Sequence, residues 1–401
     1  MATLRVRAYN VLFGDALLVS FPDVDPTGMV TDRHILIDVG NVLFEGGSDE
    51  VFQPVVEDIL HELAGAPLDL YIMTHEHMDH IQGLPYAEEK LYTASDHELQ
   101  QCLKPTYTWL TASSAADYYD RHPDAKQKRL LFDAAYQAIH RYLNAVTKAR
   151  EEIPAAVHAL WANNNPRKTS DCVKYLRALS DAQYTSYVHR DFDPRGHHPF
   201  HEAQIEIWAP EEDTSTYYGR FSPLTMWLGV TPPPPGSRQR PTLTDVRPPA
   251  GVYAGAFYNL VNMRRNHLEN LLAIDRAANN TSVVFCLTWR GVRLLFTGDA
   301  EERSWRVMDA KGVLKPVHFL KVSHHGSFNG TPEPAILNKI LPTDYHEETP
   351  RKALVSTMEN IYNNVPDPET LTRLAERCTI YDVYKQSSVG EYVDITFEAP
   401  D

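Results

Sequence analysis

Residues 71–84 read Y-I-M-T-H-E-H-M-D-H-I-Q-G-L. An apolar run from Leu68 to Met73, of the kind that forms a buried strand, leads directly into His75, His77, Asp79 and His80. Alternate side chains of an extended segment point the same way, so His75 and His77 can reach one ion. Asp79 and His80 lie just past the strand end, where the chain turns, and can reach a second ion a few ångströms away. Imidazole with carboxylate suits Zn(II), Fe or Mn. Two ions that close need an anionic bridge and a bound hydroxide. The plain alternative is a solvated histidine-rich loop.

A two-ion site needs ligands from elsewhere in the chain, and two further stretches offer them. L-L-F-T-G-D-A (294–300) ends an apolar strand in a glycine and an aspartate, which makes Asp299 a candidate bridging carboxylate. L-K-V-S-H-H-G-S (320–327) repeats the design with His324 and His325. Either stretch alone is explained by an ordinary turn. Taken with the first cluster, they put metal-type side chains at the same end of successive strands, where enzymes of this architecture build their sites.

Strand and helix signals alternate in both halves of the chain, predicting an α/β fold. Leu4–Tyr9, Ala16–Phe21 and His34–Val39 read as strands, and apolar Val51, Val55, Ile59 and Leu63 give the spacing of a helix over Glu50–Leu63. Strands are expected again at Gln204–Trp208, Val283–Leu287, Val292–Phe296 and His318–Val322. Between the halves, residues 94–187 read as a helical insertion, and the proline-rich run 231–250 reads as a loop or flap. Because the ligand stretches must converge, 1–401 is expected to be one domain carrying insertions.

With those stretches in view, the chain resembles the metallo-β-lactamase fold superfamily, in particular the branch that includes the hydrolase domain of ComEC-type competence proteins. The superfamily motif H-x-H-x-D-H is matched at His75, His77, Asp79 and His80. F-G-D-A-L-L (13–18), H-I-L-I-D-V-G (34–40), N-N-T-S (279–282), F-T-G-D (296–299), K-V-S-H-H-G-S (321–327) and V-P-D-P-E-T-L (365–371) follow in the same order. The resemblance implies an αββα sandwich with two divalent metals, usually zinc, between the sheet edges, Mn2+ or Fe being the other candidates.

The chain departs from the superfamily pattern in two places. Where many members carry a third-motif histidine, this chain reads Ala277, Ala278, Asn279, Asn280. Asn280, a water, or one of His197, His198 and His201 is expected to fill that position. Where the branch often has Gly-His-Pro, this chain has Asn364-Val365-Pro366.

The implied chemistry is metal-assisted hydrolysis, in which zinc lowers the pKa of bound water to roughly 7. Asp79 is expected to orient the nucleophile while ligating metal. One of His324 and His325 is expected to ligate, and the other to stabilise developing charge or protonate the leaving group. Asn280, Ser327 and Asn329 are the candidates for holding substrate, with capping of the following turn as the alternative for Ser327 and Asn329. Asp38, at the end of its strand, is expected to orient a ligand histidine.

Composition narrows the substrate. The 401 residues carry a net charge of -15 with 43% hydrophobic residues, which excludes disordered, collagenous and disulfide-scaffold classes. No apolar stretch is long enough to span a bilayer, and the N-terminus lacks a signal core, so no membrane partner is expected. Cys102, Cys172, Cys286 and Cys378 are widely spaced, which suits a reducing compartment; cytoplasm is the expected location. Residues 101–200 hold 14 Lys/Arg against 10 Asp/Glu. This basic insert, with Arg167, Lys168, Lys174 and Arg177, favours a phosphate-bearing substrate, a nucleic acid or nucleotide. It is also a candidate docking surface for a protein.

The leading expectation is therefore a phosphodiesterase or nuclease. A small-molecule esterase, lactonase or phosphorylcholine-type esterase is the alternative within the enzymes, and a low-turnover binding or regulatory protein the alternative outside them.

Overall fold

The computed structural model describes residues 2–42, 48–91, 103–148, 153–218, 270–344, 349–359, 361–362 and 364–399. The proline-rich stretch 231–250 lies outside the described residues. The fold is α/β, built on two mixed sheets. The first contains β1 (Ala2–Tyr9), β2 (Ala16–Val24), β3 (Val30–Val39), β4 (Leu70–Ile72), β5 (Tyr107–Thr111), β6 (Thr185–Val188) and, from the far end of the chain, β13 (Tyr392–Ala399), in the order β13-β1-β2-β3-β4-β5-β6. The second contains β7 (Ala203–Ala209), β8 (Val284–Trp289), β9 (Val292–Phe296), β10 (Phe319–Lys321), β11 (Lys352–Val355) and β12 (Thr379–Asp382), in the order β12-β11-β10-β9-β8-β7.

Period-2 alternation sorts each strand between two layers of core. Ile35, Ile37, Leu70 and Ile72 of the first sheet and Phe285, Leu294, Phe296 and Phe319 of the second pack together between the sheets. Their neighbours Leu36 and Tyr71 point the other way, onto Val51, Phe52, Val55 and Ile59 of the helix Asp49–Leu63. On the outer face of the second sheet, Cys286, Leu295 and Leu320 meet Trp305 and Met308 of the helix Glu302–Ala310 and Ile336, Leu337 and Ile340 of the helix Pro334–Ile340. Helices thus cover the outside of each sheet, and the largest apolar cluster lies between the sheets.

The strands that matter for the site run in parallel. β3 pairs with β4, and β9 with β10 and β10 with β11, all in parallel register. Parallel strands put their C-terminal ends on one edge of a sheet, and the loops leaving that edge face a common space.

Residues 94–187 differ from the helical insertion expected there. They do contain helices Pro123–Lys148, Ala155–Asn163 and Pro166–Leu176, but they also supply β5 and β6. Y-T-W-L-T (107–111) and T-S-Y-V (185–188) are aromatic and β-branched, a composition that fits a pleated, buried surface better than a helix. The helical part docks through Phe132, Tyr136, Ile139 and Leu143, which pack with Leu160, Leu271 and Ile274. That cluster holds in place the helical residues 270–279, which carry part of the site. Among the described residues, no helix is long and apolar enough to cross a membrane.

Candidate metal centre

Five strand ends supply the site. Asp38 lies in the last turn of pleat of β3, His75 just beyond β4, Asp299 beyond β9, His324 and His325 beyond β10, and Ser356 beyond β11. Two glycines make the approach of these loops feasible. At Gly40 a Cβ would lie 2.2 Å from the carbonyl carbon of Asp79, so only glycine lets the His77–Ile81 turn sit against the end of β3. Gly298 has φ +50°, and a Cβ there would stand 2.8 Å from that of Thr74. Asp38, His324 and His325 also have positive φ (52°, 48° and 55°) without being glycine. Such backbone costs on the order of 1–3 kcal/mol per residue and concentrates at functional sites.

The side chains meet in one buried cluster. Nδ1 of His80 lies 2.8 Å from Oδ2 of Asp38, which directs its Nε2 toward Asp299 Oδ2 at 3.5 Å and Asp79 Oδ1 at 3.7 Å. His325 Nδ1 lies 2.6 Å from the carbonyl of Ser356, and its Nε2 faces Asp79 Oδ2 and Asp299 Oδ2, each at 3.3 Å. Alongside, His75 Nε2 and His77 Nδ1 are 3.1 Å apart. Asp79, His80, Asp299 and His325 form one group able to hold a cation, and His75, His77 and Asp79 a second.

The polar bookkeeping of the cluster fits metal. Asp79 Oδ1, His80 Nε2 and Asp299 Oδ1 are buried and have no hydrogen-bond partner. Buried polar atoms are nearly always satisfied, so three such atoms turned on one another are a ligand set suited to a cation. Charge points the same way. Burial opposes a charge on His80, yet Asp299, Asp79 and Asp38 raise its pKa well above the ordinary imidazole value. Burial likewise opposes the charge of Asp299, which His325 and His80 hold well below the carboxylate range. His75, by contrast, is pushed well below its usual value by burial, with His80 and His77 adding to the effect. His75 is the neutral imidazole that ligation requires, whereas His80, held by the carboxylates, would give up its proton to a bound cation.

Of the two adjacent histidines, His325 enters this cluster and His324 does not. His324 Nδ1 lies 2.9 Å from Ser327 Oγ, and its side chain, 21% exposed, lines a cavity of about 350 Å³. That cavity reaches down to Asp79 and Asp299. Asn279, Ser327 and Asn329 line it with His324, Phe13 and Phe328 form part of an apolar wall, and Arg276 contributes an exposed cation.

Asn280 sits elsewhere. Its Oδ1 accepts from the amide and hydroxyl of Ser304 and its Nδ2 donates to the carbonyl of Arg276, so Asn279 is the asparagine of that pair facing the cavity. His197, His198 and His201 are also placed elsewhere. His197 bonds Ser186, His198 stacks on Phe200, and the amide of His201 donates to Asp23 in the β2–β3 hairpin. Arg167, Lys168, Lys174 and Arg177 belong to the helix Pro166–Leu176 and its cap and do not line the cavity.

Several contributors escaped the sequence reading. Asn163 Oδ1 accepts the amide of Asp79 at 3.1 Å, and Asn164 Oδ1 lies 3.0 Å from His77 Nε2. The run N-N-N (163–165) was their only signal, and it has the look of an ordinary helix end. Buried Lys321 pairs with Asp15 and lies 3.6 Å from Asp299 Oδ1. Asp275 and Glu301 stand beside His77 and His324 respectively, at 3.7 and 3.6 Å. No model of a known protein family matches the chain, and no curated protein matches it.

Proposed function

We propose that the chain is a metal-dependent hydrolase of the metallo-β-lactamase fold, an αββα sandwich, acting on a small phosphodiester. The observation that carries this reading is the convergence of Asp79, His80, Asp299 and His325 with His75 and His77, of which His77, Asp79, Asp299 and His325 line a cavity large enough for a substrate and His75 and His80 are buried behind them. The resemblance of its motifs to that superfamily supports the same reading.

His75 and His77 would hold one cation and His80, Asp299 and His325 the other, with Asp79, the carboxylate that belongs to both donor groups, shared between them in place of the Asp299 expected from the sequence. Two divalent ions held there, zinc by preference of the ligand set, would supply a Lewis acid and a water acidic enough to ionise near neutral pH. Asp38 fixes the ring of His80 through Nδ1, and Ser356 fixes that of His325 through its carbonyl. Asn163 and Asn164 hold Asp79 and His77 from the side of the helical segment. His324, on the cavity wall with Ser327 Oγ at its Nδ1, is placed to pass a proton to a departing oxygen from Nε2. Arg276, on the cavity wall and exposed, is the cation available to a phosphate oxygen.

A nuclease of long polymers would use a basic trough, and the basic residues of the helix Pro166–Leu176 do not border this cavity. A second reading, hydrolysis of a small carboxylic ester, draws on the apolar wall formed by Phe13, Leu272, Phe328, Tyr362 and Val365. The deciding experiment is elemental analysis of the purified protein joined to a screen of bis(p-nitrophenyl) phosphate, nucleic acids and carboxylic esters, with His75→Ala, Asp79→Ala and Asp299→Ala as controls. Metal-dependent turnover of the phosphodiester, lost in the three variants, is expected. Turnover of carboxylic esters alone moves the assignment to the second reading. Absence of metal with every substrate inert overturns both and leaves a binding role.

A further inference from the structure

Next to the proposed two-ion centre lies a second set of donors that hold neither of its ions, although one of them, His324, is the proton donor of that reading. Asp275, Glu301 and His324 each offer a ligand atom, and these atoms lie within 4.8 Å of one another. Asp275 and Glu301 are 7% and 5% exposed. Among the described residues their ion-pair partners are imidazoles alone, His77 at 3.7 Å and His324 at 3.6 Å. Asp275 Oδ1 also accepts from Asn164 Nδ2 at 2.8 Å, but two carboxylates held side by side out of water still call for a proton or a cation between them.

An independent observation points to what is missing. Asn279 is fully buried, and its Nδ2 sits among the three groups, 3.3 Å from Asp275 Oδ2, 2.9 Å from Glu301 Oε1 and 3.2 Å from His324 Nε2. Its Oδ1 has no partner. The amide nitrogen occupies the place that the surrounding lone pairs would give to a cation. A half-turn of the amide presents the orphaned oxygen there instead, completing a set of two carboxylates, one imidazole and one amide oxygen. All four residues line the 350 Å³ cavity, so an ion has both room and a path from solvent.

We propose that Asp275, Asn279, Glu301 and His324 form a separate binding site for one hard divalent cation, of the Mn2+ class. Three oxygen donors and one imidazole suit Mn2+ better than the nitrogen-rich set of the neighbouring centre, which suits zinc. The site does not depend on the hydrolytic reading, and an ion bound through His324 Nε2 would take that imidazole out of proton transfer. Its position beside His77 and on the substrate cavity would place a third positive charge next to the reacting group.

The test uses the full chain loaded with Zn2+, desalted and titrated with Mn2+. Free Mn2+ is followed by electron paramagnetic resonance, and total metal per chain by inductively coupled plasma mass spectrometry. Wild type is expected to bind one divalent ion more than Glu301→Gln and one more than Asp275→Asn. Asp79→Ala is expected to lose zinc and to keep the Mn2+ uptake, which separates a failure of this proposal from a failure of the two-ion reading. Equal metal content in wild type and Glu301→Gln overturns the proposal. If Glu301→Gln lowers the thermal midpoint seen by circular dichroism, His324→Ala decides, since it removes only a partly exposed wall side chain. Unchanged Mn2+ uptake in His324→Ala likewise overturns the proposal.

Discussion

Oδ2 of Asp38 lies 2.8 Å from Nδ1 of His80, and the same carboxylate accepts the amide of Thr74 at 2.8 Å and its hydroxyl at 2.6 Å. One side chain on β3 therefore fixes both the ring of a metal-type histidine and the strand end that leads to His75. Asp38→Asn keeps the shape and removes the charge, leaving His80 free to tilt. Metal affinity is expected to fall about 10–100-fold, the usual effect of losing a carboxylate that orients a histidine ligand. Competition with a chelator of known affinity measures it, and an affinity equal to wild type would show that His80 needs no such partner.

Gly40→Ala tests the close approach of two loops. The added Cβ would meet Asp79 backbone at 2.2 Å, so the turn carrying Asp79 and His80 must move. A loss of about 1–3 kcal/mol of stability is expected, as for other overpacked sites, together with loss of metal. Denaturant titration and metal analysis of the variant read the two effects separately.

The core between the sheets should be the most sensitive part of the fold. Phe296 is 1% exposed and packs on Phe285 and Phe319 at ring-centroid distances of 5.1 and 5.4 Å. Phe296→Ala is expected to cost about 3–5 kcal/mol. Leu130→Ala, at a position 62% exposed, is expected to change stability by less than about 0.5 kcal/mol. Comparable denaturation midpoints for the two variants would contradict the assignment of the core.

A pH effect is expected away from the site. His198 stacks on Phe200, and burial pushes its pKa down to about 4. In the unfolded chain the imidazole protonates near pH 6.5. Between those values the unfolded state binds more protons than the folded one, so stability falls as pH drops from about 6.5 toward 4 and is unaffected by this group at higher pH. His198→Phe should flatten that part of the stability–pH curve. Parallel curves for variant and wild type, from denaturation at several pH values, would rule His198 out as the source.

The strands of the second sheet were nearly all legible in the sequence. Val292–Phe296 matches β9 end to end, and the strand expected at His318–Val322 contains β10. These strands are short runs of apolar residues closed by glycine or polar clusters, a signal that is local. β5 was not legible, because Tyr107–Thr111 is a short run that stands close to long helical segments. The pairing of β13 with β1 joins residues such as Val6 and Ile395, and such long-range pairing leaves no local trace. The same division holds for the site. His75, His77, Asp79 and His80 come from one stretch and could be read together. Asn164, Asp275 and Glu301 come from three separate elements, each ordinary in its own surroundings, and only the folded chain brings them beside His77 and His324.

His324 and His325 are chemically identical and adjacent, yet they face different surroundings. Both have positive φ, and Gly326 after them at +80° continues the left-handed run. This reversal of hand sends one ring inward to Asp79 and Asp299 and the other outward to Ser327 and Asn279. What distinguishes the two residues is chirality of the path, not composition. A doubled letter in the sequence is thereby converted into two different instruments. A one-residue insertion or deletion in this loop would put one histidine in the other's place and hand the vacated place to a neighbouring residue, while leaving both histidines present.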